Sequence, residues 1–177
     1  MASSKAIEQP RSGINVALWV LQVLSGIFWS VTGFGKILCI NSTVWNQTLP
    51  RVPWFSAIPQ PLFVFIGICE FLGGVGLILP AITGVKPRLT SLAAIGLAVV
   101  MLLAAGFHIM RGEYSTFLTF NLITAGISAF LAYGRQVLRP LRPAPLSAYR
   151  MAYGIAVFGV LVIAGSAPVW QMMAQRH

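Results

Sequence analysis

Acidic residues are almost absent. The 177-residue chain has three, Glu8, Glu70 and Glu113, against twelve Lys and Arg, for a formal net charge of +9. Charged residues of both signs make up only 8% of it, where soluble domains carry about 25%. That scarcity excludes an ordinary water-soluble domain. In a soluble chain so basic a balance would suggest nucleic acid. Here most cations flank apolar runs, so they read as topology signals and nucleic acid is set aside. Two cysteines, Cys39 and Cys69, are too few for a disulfide framework and read as free thiols. Two histidines, His108 and His177, form no metal-ligand spacing with the cysteines or glutamates, so no metal is expected. No nucleophile–base pair, phosphate loop or haem-ligating histidine pair is present.

What is present is apolar length. The chain is 57% hydrophobic, with mean hydropathy +0.82. Five apolar segments lie near the roughly 20 residues that span a bilayer: residues 14–40, 61–82, 89–110, 115–133 and 151–170. The expected fold is all-α. An integral membrane four-helix bundle occupies 1–134, a Pro/Arg-rich cytoplasmic linker 135–150, and an additional C-terminal transmembrane helix 151–177. The first segment contains Lys36 and lacks a small-x-small cleavage site, so it is expected to be a retained helix. Lys5, Arg11, Lys86, Arg88, Arg135, Arg139, Arg142 and Arg150 fall on one side. Arg51, Arg111, Arg176 and Lys36 fall toward the other. This places the N-terminus in the cytoplasm of a cell with an inner membrane and the C-terminus outside.

The loop 41–60 carries Pro50, Pro53 and Pro59 with Trp45, Trp54 and Phe55. It reads as a proline-broken cap on the outer interface. The linker 135–150, with Pro140, Pro143 and Pro145, reads as an extended connector.

Polar residues recur at helical spacing. Ser25, Trp29, Thr32 and Lys36 share a face of the first helix; Gly67, Glu70 and Gly74 one of the second. Ala94, Ala98, Met101, Ala105 and His108 share a face of the third; Asn121, Ala125, Ser128 and Ala132 one of the fourth. Such small-residue seams are expected to be helix interfaces. Glu70 is the only acid within an apolar segment. A carboxylate at that depth costs about 2.5–3.5 kcal/mol on insertion scales, so it requires a partner or a task. At a rise of 1.5 Å per residue it lies roughly 13 Å from its helix end, Asn121 roughly 9 Å, and Lys36 and His108 roughly 3–6 Å. One polar cluster of Lys36, Glu70, His108 and Asn121 under the loop 41–60 follows, with Trp29 on the same face as Lys36.

Three stretches carry a family resemblance. They are Ser25-Gly-Ile-Phe-Trp-Ser-Val-Thr-Gly-Phe-Gly-Lys36, Gly67-Ile-Cys-Glu70-Phe-Leu-Gly-Gly-Val-Gly-Leu-Ile-Leu-Pro80, and the Ala-rich run from Ala93 to His108 followed by Arg111-Gly-Glu113. Over about residues 13–133 the chain resembles the DoxX-like membrane protein family, with Lys36, Glu70 and His108 at matching positions. The resemblance implies a four-helix membrane bundle. It also implies a link to respiratory or sulfur redox chemistry, since the family is named from a small subunit associated with a thiosulfate:quinone oxidoreductase. The linker and fifth segment depart from the family pattern.

Two functions are therefore expected. In the first, the protein is a subunit or accessory of a quinone-linked redox system. Glu70, Lys36 and His108 would then handle protons, Asn121 and Trp29 would contact the ligand, and quinone would be the candidate cofactor. In the second it is a non-enzymatic scaffold or assembly factor, with Lys36–Glu70 fixing the bundle and the fifth helix docking other membrane subunits. The lipid bilayer is a partner in both. A small-solute transporter is disfavoured, because no inverted repeat is found.

Overall fold

The computed structural model describes residues 13–51, 53–114, 116–143, 145 and 147–165. They form α1 (Gly13–Leu38), α2 (Ser42–Thr48), two 3-10 turns (Leu49–Arg51 and Pro53–Ala57), α3 (Gln60–Thr83), α4 (Arg88–Met110), α5 (Thr116–Tyr133) and α6 (Ala148–Gly165). Among the described residues there is no strand. Four helices, α1, α3, α4 and α5 with its extension to Leu138, are long and apolar enough to cross a membrane. Their outward faces carry bare aliphatic side chains such as Leu72, Leu92, Val99 and Leu103. Water would penalise such a surface and lipid does not, so the chain is an all-α membrane bundle.

Local chemistry sets the helix ends. Asn41 caps α2, its side chain accepting from the N–H of Thr43 at 2.9 Å and Val44 at 3.4 Å. The segment 41–60, expected to be a proline-broken loop, is therefore largely helical, with a short cap helix ahead of the 3-10 turns. Pro59 precedes α3, where its missing N–H costs nothing. Gly84 ends α3 in the left-handed region at φ 72°.

The four long helices pack in sequence, α1 on α3, α3 on α4 and α4 on α5. Leu18, Leu77, Leu97 and Leu131 are fully buried at their centre. The α1–α3 seam is the tightest. A Cβ on Gly33 would stand 2.6 Å from the carbonyl oxygen of Gly67, and one on Gly74 would stand 2.6 Å from that of Gly26. Only glycine lets the two backbones meet this closely. The helix α6 packs against α1 and α3, with Phe158 reaching the core. It begins at Ala148, three residues earlier than expected; residues 166–170 of the expected span lie outside the described residues.

The bundle has two distinct ends. One holds Lys36, the start of α3, the end of α4 and the start of α5. The other holds the start of α1, the α3–α4 turn and the end of α5. Arg135, read from the sequence as the first residue of the linker, is instead buried at this second end. It sits in a π-helical turn, Gly134–Leu138, that extends α5.

Candidate functional site

At the Lys36 end the four long helices enclose a cavity of about 630 Å³. Its walls are apolar and rich in aromatics, among them Phe28, Phe65, Phe117 and Phe120. Lys36, Glu70, His108, Asn121 and Trp29, the residues singled out from the sequence, all line it. So do Thr32 and Cys69, while Trp54 and Ile58 close it from the cap segment.

The polar groups form two pairs. In the first, the Lys36 ammonium donates to Glu70 Oε1, and Thr32 Oγ1 lies 3.5 Å from Glu70 Oε2. Glu70 is 1% exposed. Its charge is offset by the cation opposite, since a bare carboxylate here would be strongly unfavourable. The pair forms because Gly67 sits one turn before Glu70. A Cβ on Gly67 would meet the Cβ of Lys36 at 2.5 Å, so the lysine stem lies flat across α3.

In the second pair, His108 Nδ1 is 2.7 Å from Glu113 Oε2, and Arg111 Nε donates to Glu113 Oε1 at 2.7 Å. A carboxylate only accepts, so Nδ1 carries the hydrogen and Nε2 is the nitrogen left for other partners. The hydrogen bond from His108, then that from Arg111, holds the Glu113 carboxyl below the usual carboxylate range. The His108 ring is buried, stacks on Phe117 at 5.9 Å and meets the edge of Trp54 at 5.7 Å. The structure thus brings Lys36, Glu70, His108 and Asn121 to one cavity but gives His108 a carboxylate partner other than Glu70.

Glu113 is not among the site residues expected from the sequence, because it lies beyond the end of α4. Only the α4–α5 turn, with Gly112 at φ 69°, folds it back onto His108. The indole nitrogen of Trp54 is buried and has no hydrogen-bond partner. No group of His, Cys, Asp or Glu able to hold a metal ion occurs among the described residues, and both cysteines are free.

The seam Ser25–Trp29–Thr32–Lys36, expected to be a helix interface, meets α3 at its Thr32–Lys36 end, where both reach Glu70, and also borders the cavity and the groove beside it. The stripe of α1 that packs backbone to backbone on α3 runs one position round, through Gly26, Ser30 and Gly33.

A second buried charge lies at the other end. Arg135 Nε donates to Gln22 Oε1 at 2.7 Å and Nη1 to Asn15 Oδ1 at 3.1 Å. The guanidinium stands 4.6 Å over the Trp19 ring, and Gln22 Nε2 in turn donates to the carbonyl of Leu77 at 2.7 Å.

Compared with known proteins, residues 20–131 match the model of the DoxX-like family. No curated protein and no solved structure matches the chain. The matched span contains every cavity residue named above and excludes both Arg135 and α6.

Proposed function

This chain belongs to the DoxX-like family, and from that premise we propose that it is an inner-membrane accessory of a redox system whose cavity holds a quinone or a similar small amphiphile. The observation that carries the reading is an apolar cavity whose lining includes the Lys36–Glu70 pair and His108. Its volume lies within the roughly 300–1,000 Å³ usual for small-molecule sites, and apolar walls with a few convergent polar groups are their usual make-up. A quinone ring offers carbonyl oxygens at opposite edges. The Lys36 ammonium can donate to one while Glu70 exchanges a proton beside it. His108 Nε2 faces the other and accepts the O–H of its reduced, quinol form, with Glu113 orienting the imidazole through Nδ1. Asn121 and Trp29 position the ring between them. Electrons come from a partner redox subunit.

The excess of Lys and Arg near Lys86, Arg139 and Arg142 supports a cytoplasmic placement of that end, which turns the cavity outward. The test is extraction of the purified protein for bound quinone. Glu70→Gln and Lys36→Ala, checked for intact folding by circular dichroism, are expected to lose it. Unchanged quinone content and unchanged membrane redox rates in both variants would sink the reading.

A second reading rests on the glycine contacts beside the same pair. Lys36–Glu70 joins α1 and α3 where their backbones touch, as it would in a scaffold whose α6 docks another subunit. A stop codon after Arg142 keeps the Arg135 network and removes α6. Release of a co-purifying subunit by that truncation favours this reading, and retention of every subunit counts against it.

A further inference from the structure

The ring of helices is not closed. The helices α1 and α5 meet only sparsely, and α6 packs on α1 and α3. A second cavity of about 610 Å³ runs along the α1–α5 seam, past Leu21, Leu24, Ser25, Thr124 and Ile127. It shares Phe28, Trp29, Thr32 and Phe120 with the polar cavity. The two spaces therefore adjoin, with the Phe28 and Phe120 rings, 5.7 Å apart, between them. Both rings are about two-fifths exposed, at 42% and 40%.

The end toward water is built the opposite way. Trp54 packs edge-on to Phe107 and His108, and His108 is tied down by Glu113. A ligand arriving from water must break that roof. One arriving from the bilayer passes apolar side chains and a few hydroxyls, with no charged group in the way.

Resting on the reading of the cavity as an amphiphile site, we propose that the ligand is a lipid-soluble molecule with a long apolar tail. It enters sideways between α1 and α5, and its tail lies in the groove while its polar head reaches Lys36 and His108. The groove adjoins the polar cavity and has four side chains in common with it, which argues for a tail attached to that head rather than a partner helix. A helix seated on the seam would have no group to place among Lys36, Glu70 and His108.

The experiment compares a decyl-substituted benzoquinone with the same ring carrying methyl in place of decyl, titrated onto the full chain in nanodiscs. Wild type is expected to bind the decyl compound at least tenfold more tightly. Ser25→Trp fills the groove without touching the polar cavity. At equilibrium it should remove that advantage and leave the methyl-ring affinity unchanged, slowing only the ring's entry, while Val99→Trp on the lipid face of α4 should change neither affinity nor entry rate. Equal affinity for both rings in wild type, or equal loss of both in Ser25→Trp, overturns the tail site and leaves the quinone reading standing. If neither ring binds wild type, the quinone reading falls. The groove is then read with a diazirine-bearing palmitate. Labelling of α1 and α5 groove residues that Ser25→Trp abolishes supports the tail site, and labelling no stronger there than around Val99 overturns it.

Discussion

The two ends of the bundle bury charge in opposite ways. At the Lys36 end a cation is bonded directly to a carboxylate in the wall of a cavity, and a second carboxylate holds His108. At the other end the Arg135 guanidinium, 4% exposed, is held by two neutral carboxamides and an indole face. The side chains of Gln22 and Arg135 fill the space between α1 and α5, so that a Cβ on Gly134 would already press into Leu18. The first arrangement leaves polar groups facing an internal space; the second bonds Nε and Nη1 of Arg135 to neighbouring carboxamides and leaves only Nη2 without a hydrogen-bond partner.

The largest expected effect tests whether charge is matched by charge at the Lys36 end. Lys36→Met leaves Glu70 without its cation inside the bundle. Breaking one side of a buried pair costs about 3–5 kcal/mol, read as unfolding free energy in mixed micelles by tryptophan fluorescence. Adding Glu70→Met should recover most of the loss, because the uncompensated charge goes with it. A double variant no better than the single one would mean that the pair is not the source of the cost.

The next effect probes the opposite end. Arg135→Met strands the Gln22 and Asn15 oxygens but leaves no charge behind. An unsatisfied neutral acceptor costs about 1–3 kcal/mol, so this variant should fall below Lys36→Met in the same assay. Equal losses would erase the distinction between the two ends.

How much of this was readable beforehand depended on whether a residue's neighbours are local. On α5, Asn121, Ala125, Ser128 and Ala132 are all buried, as their spacing implied, because a helix face is set by sequence separation alone. Glu70 declared itself by cost, since no other acid interrupts an apolar run. The α1 seam was legible only in part, because small and polar residues suit a helix interface and a cavity wall equally: Thr32 and Lys36 meet Glu70 of α3, while Ser25 lines the groove. Arg135 was misread for a similar reason. A cation at a helix end signals topology on average, and nothing in its own segment reveals Gln22, which is more than a hundred residues away. Glu113 depended on the path of a turn.

The smallest effect separates the ends by pH. Glu113 lies outside the spanning helices, and its carboxyl is held low by the hydrogen bonds from His108 and Arg111. A carboxyl whose folded pKa is depressed stabilises the fold above its unfolded value of about 4.3, and the contribution disappears as pH falls through the lower folded value. Glu113→Gln should therefore melt below wild type at neutral pH, and the two curves should converge as the pH drops through that window. The Arg135→Met difference has no carboxylate in its network and should stay flat across the same range. A Glu113→Gln deficit that persists unchanged in acid would assign Glu113 to packing rather than charge. The contrast between the two ends would then rest on Lys36 and Glu70 alone.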